Sequence, residues 1–308
     1  MTQSQKGTVI FVILLFAALF LAGTTTSADR TVSIFGDSLA VINIVGTIST
    51  DDGYTYNQQY LLDAIDQCTY ERNNQGILLY IDSPGGTVYE ADEVYRRLLN
   101  YKAVTGNPVY ASIGHYGASA AYYIACAADK IYANRNSTTG AIGVIMGSSI
   151  DLTELFDKLG VKMETFTAGS NKNMLGIDEP VTDEQRAIMQ SILDEAYEQF
   201  INVIADGRQM TLEKIIPLAD GRIYSAKQAE QHQLIDGIED FEDTLARLLQ
   251  KTHVDNRQVR YYGYEADDSL WDYLLGTARS AIGLKESQLS VFNQSAALPS
   301  GVLAYYPY

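Results

Sequence analysis

The sequence predicts an α/β domain made of repeated strand-then-helix units, and three stretches predict it. Residues 77–81, Ile-Leu-Leu-Tyr-Ile, are a short apolar run of the kind buried in the middle of a sheet. Residues 88–100 then place Val88, Ala91, Val94, Tyr95, Leu98 and Leu99 at helical spacing. After the turn signal Gly106-Asn107-Pro108, residues 109–113 are again apolar and β-prone, and residues 119–128 read as a buried helix. That order argues for parallel strands joined by right-handed crossovers.

The remaining elements follow the same logic. Residues 41–45 read as a strand, 60–70 as a helix and 131–133 as a further strand. The chain is expected to leave the 109–113 strand, turn through Gly114 and Gly117, and enter a helix near Ser119. Residues 182–208 predict a long amphipathic helix with Thr182 as its cap and Glu184 or Gln185 in the first turn. Its apolar face, Ile188, Ile192, Tyr197, Phe200, Ile201 and Ile204, suits a core or a subunit contact. No linker rich in Pro, Gly or Ser interrupts residues 41–249, so one domain is expected over residues 29–250.

The two ends differ from this middle. Lys6 is the only early side-chain charge, residues 7–28 carry none, and the apolar core runs over residues 9–22. A signal peptide, a membrane anchor and a buried helix all fit that pattern. Residues 251–308 form a tail rich in aromatic residues, among them Tyr261, Tyr262, Tyr264, Trp271 and Tyr273. It is either loosely ordered or docked on a groove or a neighbouring subunit. Its last segment, residues 302–308, is apolar, uncharged in its side chains and preceded by Pro299-Ser300-Gly301. Such a segment is expected to enter a substrate groove as an added strand.

Composition excludes several classes of function. A net charge of −16 without clustered Lys and Arg argues against nucleic acid as a partner. The two cysteines, Cys68 and Cys126, have no metal-ligand spacing and read as buried thiols. No cluster of His, Cys and carboxylates suggests a metal, and no phosphate-binding loop suggests a nucleotide, so no cofactor is expected.

The chemistry centres on Ser119, which follows small residues where a strand gives way to a helix. A plain reading makes it an N-cap, one of the commonest uses of serine. The sharper reading makes it a nucleophile. Two other stretches support that. Gly85 and Gly86 end the 77–82 strand and allow a backbone amide to approach a developing oxyanion. Lys172 follows a β-prone segment in a small polar loop, where a lone lysine would otherwise simply be solvated. His115, four residues before Ser119, is poorly placed as a base, since most triads draw theirs from a distant segment. His232 and His253 have no local signature, and Asp82 and Asp129 suit turn and helix-end hydrogen bonds.

Taken together the chain resembles the signal peptide peptidase A family of membrane-associated Ser/Lys peptidases. The likeness runs in order through Asp82-Ser-Pro-Gly-Gly86, Ala118-Ser119, Tyr122-Tyr-Ile124, Ala127-Ala-Asp-Lys-Ile-Tyr-Ala133, Thr139-Gly-Ala-Ile-Gly-Val144, Asp157-Lys-Leu-Gly160, Ala168-Gly-Ser-Asn-Lys172 and Ala219-Asp-Gly-Arg-Ile-Tyr224. It covers roughly residues 41–249. The resemblance implies a ClpP/crotonase-like fold preceded by one transmembrane helix. It also implies Ser119 as nucleophile, Lys172 as general base, Gly86 as oxyanion donor and Gly85 as its neighbour. The chain departs from the family where Ala120 and Ala121 follow the nucleophile, and where Ala141 replaces a serine that supports the lysine. Ser148, Ser149 and Ser170 are candidate substitutes.

What the resemblance implies is a serine endopeptidase that cleaves hydrophobic peptides, such as remnant signal peptides, at the membrane. The implied protein is a ring-shaped homo-oligomer whose sites combine residues of adjacent subunits. Residues 1–28 then read as an uncleaved single-pass anchor with the catalytic domain outside the cytoplasm, Thr26-Ser27-Ala28 being a poor cleavage site. Two other readings stand beside it: a catalytically weak membrane scaffold, motivated by the three alanines, and an acyl-CoA enzyme of the same fold, which Lys172 disfavours.

Overall fold

The computed structural model describes residues 36–264, with the exception of Ser148. The expected anchor at 1–28 and the tail from residue 265 onward, including 302–308, lie outside the described residues. Among the described residues no helix is long and apolar enough to cross a membrane.

Eight strands form one mixed sheet. Strands β1 (Ser38–Val45), β2 (Asn74–Ser83) and β3 (Val109–Ala118) lie side by side and parallel at its centre. Between them run α1 (Gln58–Tyr70) and α2 (Val88–Thr105), the crossovers that parallel strands require. Strand β3 then divides its outer edge. Its first half pairs with β4 (Lys130–Ala133), whereas its second half pairs with β5 (Thr138–Gly140). Antiparallel β6 (Ile223–Ser225) covers β5, and β7 (Gly237–Ile238) covers β4.

Alternation along each strand sends side chains to two helical layers. Ile42, Ile44, Ile77, Leu79, Ile81, Ala111 and Ile113 pack with α1, α2 and α3 (Ala120–Ala125). Leu39, Val41, Leu78, Tyr110 and Tyr132 pack instead with Leu245 and Leu248 of α8 (Phe241–Thr252). Burial on both faces explains why these strands read as continuous apolar runs. The sheet also extends past residue 250: β8 (Val259–Tyr262) adds a parallel edge strand to β1, burying Tyr262.

The helices expected over 60–70, 88–100 and 182–208 are all present, the second running five residues further, to Thr105. Asn57 caps α1 by accepting from Tyr60 N–H at 3.0 Å. Gly106, at φ 71°, ends α2. Helix α5 (Asp183–Arg208) starts at a capping box in which Thr182 and Gln185 satisfy one another's backbone N–H groups. Only its last turns are core, because Phe200, Ile201 and Ile204 are buried whereas Ile192 is 42% exposed. Short helices α4 (Thr153–Leu159), α6 (Leu212–Ile215) and α7 (Ala226–Gln231) complete the α-helices of the described residues.

The expected chain-leaving turn at Gly114 and Gly117 does not form: β3 continues to Ala118, although its register against β2 shifts between Ile113 and Gly117. Close packing is what these glycines serve. A Cβ on Gly114 would stand 2.7 Å from the Tyr80 hydroxyl, and one on Gly117 would stand 2.7 Å from the Ile113 side chain. Both cysteines are buried and unpaired, and burial pushes each thiol up to about 12.

Candidate active site

Ser119 occupies the single residue between β3 and α3, at φ 54° and ψ −124°. A side chain with a Cβ rarely adopts a positive φ, so the neighbours must hold it there. Its N–H donates to Gly140 O at 2.8 Å, and its carbonyl accepts from Tyr123 N–H at 3.0 Å. Although Ser119 stands at the N-cap position, its hydroxyl makes no capping hydrogen bond. The plain reading of the residue as a cap therefore does not describe it. The hydroxyl is half-buried and left available.

The segment that grips Ser119 is itself braced. Ala141, also at positive φ (50°), donates its N–H to Arg222 O at 2.8 Å, and Gly221 N–H donates to Ile142 O at 2.9 Å. Thr139 Oγ1 donates to Gly117 O at 2.6 Å. Arg222 pairs with Asp220, and the guanidinium side-chain bonds bring the Asp220 carboxyl down to about 2. Tyr224 donates to Leu218 O at 2.8 Å. The run Ala219-Asp-Gly-Arg-Ile-Tyr224 thus reaches the Ser119 turn through β5 and β6. On the other side, the Tyr122 hydroxyl donates to Leu234 O at 2.6 Å and fixes α3 against the domain.

Gly85 and Gly86 lie against this turn. A Cβ on Gly85, at φ 104°, would come within 2.8 Å of the Ser119 Cβ and 2.7 Å of Ala118 O. A Cβ on Gly86 would fall 1.9 Å from Ile48 O, so no other residue fits that bridge between the two backbones. The two amides differ in use. Gly85 N–H donates to Ser83 Oγ at 3.1 Å, whereas Gly86 N–H has no acceptor among the described residues. Neither has the N–H of Ala120, the residue after Ser119. Sequence reasoning passed over Ala120 because only its backbone is chemically useful; its place at the start of α3 was the available signal.

A cavity of about 20 Å³ opens beside Ser119, Gly86 and Ala120. Lys172 does not line it. The lysine sits in a turn closed by Lys172 N–H donating to Gly169 O at 3.1 Å, and its side chain is exposed with no partner among the described residues. No hydrogen bond joins Ser119 to Lys172 in the single chain. His115 is exposed, its ring 4.2 Å from that of Tyr116 between centroids and tilted by 39°, and no hydrogen bond joins it to Ser119 among the described residues. Asp82 accepts from Tyr116 N–H at 3.0 Å and Asp129 from Val109 N–H at 2.9 Å, bonds to the backbone of β3 rather than to their own turns, and Asp129 also pairs with Lys102 at 2.6 Å.

Comparison with known proteins bears on the same segment. The profile of Peptidase family S49 matches residues 102–255, and that of Clp protease matches residues 43–153. A protein of Enterococcus faecium named for the signal peptide peptidase SppA is 35% identical over 207 residues, 67% of this chain and 60% of that protein. A protein of Synechocystis sp. named as a protease is 34% identical over 205 residues, 67% of this chain and 71% of that protein. The chloroplastic serine protease SPPA of Arabidopsis thaliana is 30% identical over 257 residues, covering 80% of this chain but 38% of that protein. This chain therefore spans well under two thirds of some of the relatives it matches. With a profile match spanning half of the chain and a relative 34% identical that it covers to 71%, the chain belongs to Peptidase family S49.

Proposed function

We propose that the chain is a serine endopeptidase in which Ser119 is the nucleophile and Lys172 the general base. The observation that carries this is Ser119 itself: a residue held at strained φ, its hydroxyl unused for capping, beside the unoccupied amides of Gly86 and Ala120. Neutral Lys172 takes the Ser119 proton as Oγ attacks the peptide carbonyl carbon. The carbonyl oxygen becomes an oxyanion facing the Gly86 and Ala120 amides. When the intermediate collapses, the C–N bond breaks and the proton passes from Lys172 to the departing amine. Water then attacks the acyl-serine, gives its proton to Lys172, and Ser119 Oγ recovers it.

A lysine ammonium cannot accept a proton, and lysine ordinarily titrates near 10.4, so the base must work in a drier setting than solvent. A bound hydrophobic peptide or a neighbouring copy would provide one. This fits the rest of the proposal: hydrophobic peptides, such as remnant signal peptides, as substrates; an N-terminal membrane anchor with the catalytic domain outside the cytoplasm; and a ring-shaped homo-oligomer. A second reading, a catalytically weak scaffold, is motivated by Ala141, which borders Ser119 and offers no hydroxyl to support a lysine.

Labelling with a serine-reactive fluorophosphonate separates the two. Wild type should label at Ser119 and cut peptides, Ser119→Ala should do neither, and Lys172→Arg should be as inactive as Lys172→Ala because guanidinium stays protonated. Retained activity in Ser119→Ala would end the assignment. Absence of labelling in the wild type would favour the scaffold.

A further inference from the structure

The cavity beside Ser119 is small, enclosed and stiff, and each property follows from named side chains. Val88 and Ala91 of α2 form one wall, and Ala196 and Phe200 of α5 form another. Tyr123 of α3 closes the bottom, with its ring 5.3 Å from Phe200 and 5.3 Å from Tyr95. That floor does not swing aside readily. The Tyr123 hydroxyl donates to Asp92 Oδ1 at 2.8 Å and accepts from Gln199 Nε2 at 2.8 Å. Ala91, Tyr123 and Phe200 are each at most 4% exposed, so the floor and the inner part of each wall are core residues, whereas Val88 (36% exposed) and half-buried Ala196 stand nearer the surface.

At about 20 Å³ the space holds about one water molecule. A methyl or hydroxymethyl group fits, whereas a leucine or phenylalanine side chain would have to displace Phe200 or Tyr123. Because the cavity is bounded by both Ser119 and Gly86, it takes the side chain adjoining the carbonyl that Ser119 would attack. We infer that the pocket restricts cleavage to bonds whose acyl-side residue is small (alanine, serine or glycine) and that Phe200 and Ala196 set this limit. The inference rests on the peptidase reading above, and it adds the substrate class at the position next to the scissile bond. Hydrophobic substrates are then recognised by residues farther along the peptide.

The test uses the full-length chain and fluorogenic peptides that differ only at the acyl-side residue, with the cut bond identified by mass. Alanine should exceed leucine in kcat/KM by about 10-fold or more, the discrimination expected when a pocket must accommodate added methylenes. Phe200→Leu should narrow that ratio by enlarging the cavity. Ala196→Leu, at a half-buried position, should depress alanine cleavage about 10-fold while sparing the glycine peptide. Thermal melting checks that Phe200→Leu is folded; if it is not, Ala196→Leu still decides the matter. Leucine or phenylalanine peptides cut as fast as the alanine peptide would overturn the pocket assignment alone. No cleavage of any peptide and no fluorophosphonate label at Ser119 would instead remove the peptidase reading, and the pocket assignment with it.

Discussion

Ser119 shows how a single residue can carry a structural cost for a chemical purpose. Non-glycine residues held in sparsely populated backbone regions cost about 1–3 kcal/mol. Here the neighbours over-determine the geometry: Gly140 O takes the Ser119 N–H, and Gly85 fills the space where any side chain would collide with Ser119 Cβ. The strain belongs to the backbone and survives loss of the hydroxyl. Ser119→Ala should therefore melt close to wild type, while Ser119→Gly should melt higher than either. Glycine would relieve the positive φ, offset by its own entropy cost of about 0.5–1 kcal/mol. A net gain of about 1 kcal/mol would raise Tm by roughly 2–4 °C for a domain of this size. Both variants should fail to label. Equal melting of the alanine and glycine variants would show that the turn is unstrained, and would weaken the case for a residue held in place for catalysis.

At the scale of elements, the sheet depends on ties that cross between layers. Asp236, just before β7, accepts from Lys130 Nζ at 2.8 Å, Ile131 N–H at 2.9 Å and Arg208 Nη1 at 2.8 Å. It thereby joins the start of β4 to the end of α5. Burial pushes its carboxyl up, but the hydrogen bonds from Lys130, Ile131 and Arg208 together outweigh burial and leave it below the usual aspartate value. A carboxyl depressed in the folded state contributes stability that is full above the unfolded value of about 3.9 and fades as pH falls through the folded value. Asp236→Asn should cost roughly 2–4 kcal/mol at pH 7, since Arg208 is left 8% exposed without its anion. The deficit relative to wild type should shrink below about pH 4. Denaturant titrations at pH 7 and pH 3.5 measure it, and a deficit that does not change with pH would assign the effect to packing instead.

Much of this architecture was legible because local signals agreed with the fold. The apolar runs of β2 and β3, the helical spacing of α2 and the Thr182–Gln185 box each announce an element without knowledge of its neighbours. What was not legible depended on distant partners. Gly114 and Gly117 look like a turn until Tyr80 and Ile113 are seen packed on them. Strand β8 looks like the start of a tail until β1, at the other end of the domain, supplies its edge, with Arg260 pairing Glu71 to secure it. At the candidate site the glycines and Ser119 could be named from their residue types at strand ends and from the family resemblance, although the contacts that hold them, Gly86 with Ile48 and Ser119 with Gly85 and Gly140, are distant in sequence. The Ala120 amide could not, having no side-chain signature, and the spatial relation of Lys172 to Ser119 is not encoded in either residue's neighbourhood.

On the scale of the whole molecule, that relation becomes a question about assembly. Between Gly143 and Gln199 only Gln185 is buried among the described residues. This excursion carries Lys172 and exposes Ile145 (82%), Ile150 (60%), Leu159 (67%) and Phe166 (86%). So much apolar surface on one segment marks a contact with something else. Covering each such side chain would contribute about 1.5–3 kcal/mol. A second copy of the chain is the partner consistent with the proposed ring, and docking there would also remove water from around the lysine. The active chain should therefore run as an oligomer in light scattering, and Phe166→Asp should shift it toward monomer and slow fluorophosphonate labelling at Ser119. Tyr70→Asp, at a residue 79% exposed on α1, controls for added charge and should change neither. If the dyad spans two copies, mixing inactive Ser119→Ala with inactive Lys172→Ala should restore peptide cleavage, because some interfaces then pair an intact serine with an intact lysine. A monomer that labels at the wild-type rate would separate catalysis from assembly. Oligomers that exchange subunits yet stay inactive would place serine and lysine in the same copy.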